Sequence, residues 1–387
     1  MAVLRQLFKQ NIRQYGMIIA LIVITILFQL LTDGILLKPL NVTNIILQNS
    51  YILVLAIGML LVIITGNIDL SVGSIAAFVG ALAGVMMVNW GIPTFATVVI
   101  SLVIGGLVGA WHGFWIAYVK IPSFIVTLAG MLIFRGLTMV ILDGMSIAPF
   151  PNAFQKMSSG FLSDFDVNSS INQMTIICGI GLSLIYILQE WRNRNTQLKY
   201  KFEVLPIGFL VVKIVMIISL INIFSFTLAL YEGIPNILLI LFMLVVIYAF
   251  VMNKTVIGRR IYATGGNEKA AKLSGIATQR VTFWVFVNMG VLSALSGLIF
   301  AARLNAATPR AGINFELDAI AAVYIGGASA TGGIGTVIGA IIGGLVMGVM
   351  NNGMSLVGLG IDWQLAIKGI VLLIAVGFDI YTKNKSH

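Results

Sequence analysis

Charged side chains are scarce in this 387-residue sequence, which contains 23 Lys and Arg, 13 Asp and Glu, and two His. Charged residues make up 9% of the chain and hydrophobic residues 59%, whereas a soluble globular domain has about 25% and about 45–50%. A chain this poor in charge cannot cover a water-facing surface, and its apolar content is too high for a disordered protein. The composition therefore excludes a soluble enzyme of two or three domains.

The scarcity of cysteine and histidine and the lack of a phosphate-binding motif exclude further classes of protein. Cys178 is the only cysteine, so the sequence excludes an intrachain disulfide and a cysteine-based metal site. The only histidines are His112 and the terminal His387, so we expect no metal site; His112 is interpreted as a hydrogen-bonded packing residue rather than a catalytic one. No G-x-x-x-x-G-K-[ST] phosphate loop occurs, so we expect no ATP or other cofactor on this chain. The net charge of +10 does not indicate nucleic-acid binding, because the basic residues lie between apolar spans.

Long apolar runs fill the rest of the sequence, and runs of about 20 residues cross a hydrocarbon core of about 30 Å as α-helices. We predict an all-α integral membrane protein, a polytopic bundle of about twelve transmembrane helices, with ten or eleven as the alternative counts. The runs lie near 16–32, 51–65, 75–88, 94–119, 124–142, 172–188, 203–230, 237–252, 282–302, 314–328, 337–350 and 362–380. The run 314–328 begins with Glu316 and Asp318, so a re-entrant segment is the alternative there.

Basic residues predict the orientation. Fifteen of the 23 Lys and Arg residues fall on one side of an arrangement of twelve alternating spans. They are Arg5, Lys9, Arg13, Arg192, Arg194, Lys199, Lys201, Lys254, Arg259, Arg260, Lys269, Lys272, Arg280, Lys383 and Lys385. The loop 143–172, on the other side, holds only Lys156. Because loops rich in Lys and Arg stay inside the cell, both termini are predicted to be cytoplasmic.

Glycine recurs at four-residue spacing within the spans, as in 105–113 and 335–343, and such stripes are typical of close helix packing in membranes. Two polar, glycine-containing runs, 66–74 and 326–335, interrupt the apolar pattern. Each is either a turn at the membrane surface or irregular backbone buried in protein or lining a cavity. The alternation of spans favours a surface turn for the first. Arg135, inside an apolar run, is expected to face the bundle interior.

The segment 263–276 predicts a short helix. Asn267 can cap its start, Glu268 complements its dipole, and Gly275 supplies the left-handed residue that ends many helices. Two turns are unstable alone in water, so another surface must pack on the small side chains of Ala270 and Ala271. That surface belongs either to a partner or to the chain itself.

Several of these motifs resemble the permease subunits of sugar-importing ABC transporters. Gly266-Asn267, Ala270-Ala271 and Ser274-Gly275-Ile276 are similar to their coupling-loop signature. Further similar stretches are 68–74, 121–128, 134–136, 316–323, the glycine run from 326, and 351–353, which follow in order over roughly residues 45–380. The relatives suggested by this pattern are the ribose, xylose, galactose and multiple-monosaccharide permeases.

The resemblance implies a single permease domain, 1–387, with an inverted repeat and a cytoplasmic coupling loop at 253–281. It also implies a bacterial inner-membrane protein that imports a pentose or hexose, forms a homodimer or paired permease, and works with ATPase subunits carrying ATP and Mg²⁺ and with a periplasmic sugar-binding protein. The implied ATPase-coupling residues are Gly266, Asn267, Glu268, Ala270, Ala271, Leu273, Ser274 and Gly275. Candidates for the translocation path are Asn67, Asp69, Ser71, Arg135, Asp318, Asn351 and Asn352.

One region departs from the ribose-type pattern. Residues 172–231 look like an added helical hairpin with a basic loop at 189–201, as in the longer xylose-type permeases, and we expect it at the periphery with Lys213 in a structural role. An ion-coupled secondary sugar transporter is the alternative function, with Asp69, Asp318 or Glu316 as its coupling carboxylate. Such a carrier has no need of a docking helix.

Overall fold

The computed structural model describes residues 12–165, 171–202, 204 and 206–384, and these ranges contain fifteen α-helices and no strand longer than an isolated bridge. The helices are α1 (Ile12–Leu31), α2 (Pro39–Ile64), α3 (Val72–Gly84), α4 (Thr94–Ala117), α5 (Ser123–Leu142), α6 (Asn152–Ser159), α7 (Gln173–Lys199), α8 (Ile207–Ala229), α9 (Asn236–Lys254), α10 (Val256–Gly266), α11 (Glu268–Leu273), α12 (Thr278–Leu304), α13 (Phe315–Ile325), α14 (Val337–Leu356) and α15 (Ile361–Asn384). A π-helical turn, Val85–Asn89, extends α3. Arg5, Lys9 and Lys385, used above for orientation, and His387 lie outside the described residues.

Nine helices of the described chain are long and apolar enough to cross a membrane: α2, α3 with its π turn, α4, α5, α7, α8, α9, α12 and α14. The predicted runs 16–32 and 362–380 lie in α1 and α15. The prediction of an all-α polytopic membrane protein is confirmed. The run 314–328 does not form a full span, because α13 has 11 residues and is only about 17 Å long. The re-entrant alternative does not fit either, because Ala307 before α13 pairs with Ile147 after α5, whereas Gly333 after α13 pairs with Ile64 at the opposite end of the bundle.

Burial separates a central helix from a peripheral hairpin. In α2, 83% of the most apolar stretch is buried, and this helix packs against α12, α13 and α14. In α8 the corresponding share is 6%, and its main partner is α7. The two hairpin helices are joined by a hydrogen bond of 2.8 Å from the Asn222 amide to the Ser183 hydroxyl.

Glycines form the closest helix contacts. A Cβ on Gly105 or Gly109 of α4 would collide with the carbonyl oxygen of Gly290 or Phe286 on α12. One on Gly343 of α14 would collide with the carbonyl oxygen of a residue in α13. Because lipid is as apolar as these helices, close backbone contact is what holds them together. The predicted packing seams are confirmed, except that Gly335 lies in the loop before α14 and not on a helix.

Two segments predicted as loops are helical instead. Helix α7 continues to Lys199, so most of the predicted basic loop 189–201 is helix. No Gly or Pro interrupts 189–199, and its Gln, Glu, Arg, Leu and Lys residues are good helix formers. Within the predicted loop 253–281, α10 precedes the expected short helix.

Candidate functional site

Helix α3 begins about halfway through the bundle. Gly297 of α12 packs directly on the backbone of Ala76, and Gly80 lies beside Ala301 one turn later, so α3 and α12 run side by side in the same direction. Val72, the first residue of α3, is four residues before Ala76, or about 6 Å. This places it level with the middle of the 27-residue α12. The segment 65–71 therefore leads from the end of α2 into the bundle, with Gly66 and Ile68 exposed and Asp69 and Ser71 buried.

This segment carries a buried carboxylate. Asp69 is 1% exposed, and its Oδ1 accepts hydrogen bonds from the backbone N–H of Ser71 at 2.8 Å and from the Ser71 hydroxyl at 2.5 Å. Ser71, the residue that precedes α3, is itself fully buried. Asn67, nearer the surface, donates to the carbonyl oxygen of Thr65 at 3.2 Å. Both interpretations of this break describe part of it: Gly66 and Ile68 are exposed, as in a surface turn, whereas Asp69 and Ser71 are buried and hydrogen-bonded to each other, as in irregular backbone inside protein.

A second interrupted helix meets the first. Residues 305–314 are non-helical, and they lead into α13 through left-handed residues at Gly312 and Asn314. The carbonyl oxygen of Gly312 and the carboxylate of Glu316 pack against Gly73. A Cβ on Gly73 would collide with the Gly312 oxygen and come within 2.5 Å of the Glu316 carboxylate. The N-termini of α3 and α13, which carry positive partial charge, thus meet inside the bundle. This arrangement is typical of binding sites in transporters with broken helices.

Arg135 and Glu316 lie at this meeting point. The Arg135 guanidinium, on α5, donates to the carbonyl oxygen of Ala311 at 2.7 Å and so faces the interior, as predicted. Glu316 is 9% exposed, and its Oε2 has no hydrogen-bond partner among the described residues. A buried oxygen without a partner costs free energy, so this atom is available to a donor that enters the site.

Asp318 is occupied by an ion pair that the sequence analysis missed. The Lys368 ammonium, on α15, lies 2.9 Å from Asp318 Oδ1 and 3.2 Å from Oδ2. The Tyr51 hydroxyl donates weakly to the same carboxylate at 3.4 Å, and the Tyr51 ring stacks on Phe315 at a centroid distance of 3.8 Å. A lysine inside the apolar run 362–380 was the signal for this pair, but the sequence does not reveal its partner.

The two candidate asparagines join helices. Asn352 of α14 and Asn41 of α2 exchange two hydrogen bonds, of 2.8 and 3.1 Å. The Asn351 amide donates to Asn49 at 3.4 Å. We call these four side chains the amide clasp. Asn41 and Asn49 were missed, although two polar residues eight positions apart in an apolar helix were visible. Direct substrate contact by Asn351 or Asn352 stays a prediction.

The short helix predicted at 267–275 is confirmed as α11. Asn267 Oδ1 accepts from the backbone N–H of Ala270 at 3.0 Å, and Gly275 has a φ of +82°. Ala271 is 5% exposed and packs on the chain itself, whereas Leu273 is 90% exposed. One side of α11 is thus covered by its own protein, and the other presents an apolar side chain.

Few contacts tie α11 to the bundle. Glu268 accepts from the Thr278 hydroxyl at 3.1 Å and lies 3.6 Å from the Lys120 ammonium. Both partners of that ion pair are more than half exposed, so it stabilises the helix little. The Ser274 hydroxyl closes the last turn by donating to the Ala270 carbonyl at 3.0 Å.

His112 is fully buried, and its Nε2 occupies the space that a side chain at position 130 would need. The prediction that it packs is confirmed, but the predicted hydrogen bond is not present, since neither ring nitrogen has a partner among the described residues. Residues 12–165, 171–202, 204 and 206–384 contain no cluster of three His, Cys, Asp or Glu placed to hold a metal ion.

Comparison with known proteins finds a family and several relatives. The family model described as branched-chain amino acid transport system / permease component matches residues 41–376. The chain is 40% identical over 375 residues to the xylose transport system permease protein of Haemophilus influenzae, covering 97% of this chain and 98% of the relative. The Escherichia coli K12 counterpart is 39% identical over 380 residues, 97% and 94% of the two chains. The ribose import permease protein of H. influenzae is 36% identical over 345 residues, 89% and 86% of the two chains.

No solved structure matches the chain. The family match spans both interrupted helices and α10–α11, and it leaves out residues 1–40, which include α1, and 377–387. The chain therefore belongs to the permease family described as the permease component of the branched-chain amino acid transport system.

Proposed function

We propose that this chain is the membrane-spanning subunit of an ATP-driven ABC importer for a monosaccharide, with a pentose as the first candidate. The family model is named for amino acids, but relatives at 36–40% identity over most of their length are named for xylose and ribose. The chain has no phosphate loop of its own, so a separate ATPase subunit supplies the energy.

The exposed position of Leu273 on α11 is the observation that carries the ATPase proposal. A six-residue helix has too few hydrogen bonds to hold its shape alone, and an apolar side chain that is 90% exposed favours a protein partner. Lys269 and Lys272, also exposed, keep this surface out of the bilayer core. The predicted coupling residues Gly266, Asn267, Glu268, Ala270, Ala271, Leu273, Ser274 and Gly275 form this element and its two flanks.

The orientation of the chain in the membrane follows from the basic residues at the end of the bundle that carries α11. We place the end of the bundle that carries α11 in the cytoplasm of a bacterial cell, because the basic residues cluster there. If α3 and α13 each complete a crossing with the irregular segment before them, the chain crosses twelve times and both termini are cytoplasmic. A second copy of the permease and an external sugar-binding protein complete the assembly.

The meeting point of α3 and α13 is the proposed sugar path. A neutral sugar presents hydroxyl groups, which donate to carboxylates and accept from guanidinium groups. Glu316 offers an unpartnered acceptor, Arg135 a donor, and Asp69 with Ser71 a buried polar edge. The inverted repeat predicted from the sequence fits two interrupted helices whose N-termini meet.

Proteoliposomes test this function. The permease is reconstituted with its cognate ATPase and binding protein, and uptake of labelled D-xylose, D-ribose and L-leucine is measured. We expect ATP-dependent uptake of a pentose and none of leucine. The same unpartnered Glu316 oxygen also fits a rival function, an ion-coupled carrier. Uptake driven by a proton or sodium gradient in vesicles without the ATPase would establish that rival.

A further inference from the structure

Three separate parts of the chain meet, backbone to backbone, beside α11, the proposed coupling helix. They are the end of α2 at Ile64, the end of α10 at Gly265, and the loop 326–336 at Gly333. The Gly333 N–H donates to the Ile64 carbonyl oxygen at 2.9 Å. A Cβ on Gly265 would collide with that same oxygen. No side chain separates the three backbones at this point.

Glycine is required here by both space and conformation. Gly332 and Gly333 have φ values of +81° and +74°, which other residues rarely adopt. A Cβ on Gly332 would come within 2.9 Å of the carbonyl oxygens of Gly265 and Ile64. A methyl group at any of these glycines therefore pushes the segments apart.

A side-chain hydrogen bond adds to the contact. The Tyr262 hydroxyl, on α10, donates to the Gly335 carbonyl oxygen at 2.7 Å. A tyrosine hydroxyl is protonated at neutral pH, and burial raises the pKa of Tyr262 further, so the group is a donor. Helix α10 is thus fastened to the loop 326–336 at two points.

Each partner in this contact leads to an interrupted helix. Five residues after Ile64 comes Asp69, which is followed by α3. The loop 326–336 directly follows α13, whose first turn contains Glu316 and Asp318. On the other side, Gly265 is two residues from Asn267, the cap of α11. The contact of Ile64, Gly265 and Gly333 therefore connects α11 to the backbone that leads to α3 and α13 at the proposed path.

We propose that Gly265 and Gly333, in contact with the Ile64 carbonyl, are positioning residues that pass movement of α10 and α11 to both interrupted helices together. The inference rests on the proposed function, because the ATPase supplies the movement. Direct backbone contact leaves no flexible side chain to absorb a displacement, and packed interiors transmit strain. A Cβ at either position uncouples ATP hydrolysis from transport without altering the exposed surface of α11.

The test compares Gly265→Ala and Gly333→Ala with Gly208→Ala in the complete complex. Gly208 lies in the first turn of α8 on the peripheral hairpin, and a Cβ there meets nothing within 4 Å. We measure copurification of the ATPase, ATP hydrolysis, and labelled D-xylose taken up per ATP hydrolysed. For Gly265→Ala and for Gly333→Ala we expect ATPase binding at the wild-type level. We expect uptake per ATP to fall roughly tenfold, within the usual range of coupling between sites. Gly208→Ala is expected to match wild type.

Tyr262→Phe is the second variant, because it introduces no collision and removes one hydrogen bond. It is expected to fold and to lower uptake per ATP less than Gly265→Ala does. The proposal is overturned if uptake per ATP stays at the wild-type level in Tyr262→Phe and in whichever of Gly265→Ala and Gly333→Ala folds. Loss of ATPase binding in a folded Gly265→Ala protein also overturns it, since Gly265 would then act in docking. If the wild-type chain binds no ATPase, the proposed function fails instead.

Discussion

The ammonium group of Lys368 on α15 lies 2.9 Å from the carboxylate of Asp318 on α13, and the two side chains are only 19% and 4% exposed. Helix α13 is too short to cross a membrane and begins inside the bundle, so it depends on its neighbours for its position. This ion pair fastens its first turn to a long helix. It also neutralises one of the carboxylates near the proposed path.

Lys368→Met is expected to destabilise the fold by about 3–5 kcal/mol, because it leaves the Asp318 carboxylate buried without its partner. Thermal unfolding of the detergent-solubilised protein measures the effect. The double variant Asp318→Asn/Lys368→Met is expected to recover most of the loss, since no uncompensated charge remains. A single variant as stable as wild type would show that the pair contributes nothing to the position of α13.

The second prediction concerns the contribution of the amide clasp to stability. Asn352→Leu removes both hydrogen bonds to Asn41 and leaves a buried amide without its partner, which costs about 1–3 kcal/mol. A double-mutant cycle with Asn41→Leu should give a coupling free energy of about 0.5–2 kcal/mol, the range for interhelical hydrogen bonds in membranes. Additive effects of the two substitutions would mean that the side chains do not act as a pair.

The hairpin pair Lys213–Glu190, at 2.7 Å, is predicted to matter for stability and not for transport. Lys213→Met leaves the Glu190 carboxylate, 17% exposed, without this cation. The melting temperature should fall while D-xylose uptake per folded molecule stays at the wild-type level. Lys199→Met, at the exposed end of the same hairpin, serves as the control. A fall in uptake per folded molecule would place the hairpin on the transport route.

Thiol labelling tests the orientation. In a Cys178→Ser background, Leu273→Cys and Met145→Cys place single thiols at positions that are 90% and 68% exposed, at opposite ends of the bundle. In intact cells, a membrane-impermeant maleimide is expected to label position 145 and not position 273, with the reverse pattern in inside-out vesicles. Labelling of position 273 in intact cells would invert the topology.

Local rules predicted part of the site. The limits of α11 follow from an Asn that caps its start and a Gly that ends it, and both act over a few residues. The packing seams follow from glycine spacing, because residues four apart lie on one helix face. The apolar runs predicted most helices for the same reason, since each reflects a property of its own segment.

Features that depend on distant contacts were missed. Nothing in 66–74 tells how far inside the bundle α3 begins, because the packing of Gly297 on Ala76 sets that depth. The apolar run 314–328 hides the end of α13 at Ile325. The ion pair of Asp318 joins residues 50 positions apart, and no periodicity relates them.

Site-specific photo-crosslinking from position 273 tests the central claim most directly. Leu273 is replaced by p-benzoylphenylalanine in the assembled complex, and Met145, at the opposite end of the bundle, is replaced in a parallel sample. The account predicts that position 273 crosslinks to the ATPase subunit and position 145 does not. A complex that hydrolyses ATP in response to the loaded binding protein, yet gives no ATPase adduct from position 273, would contradict it.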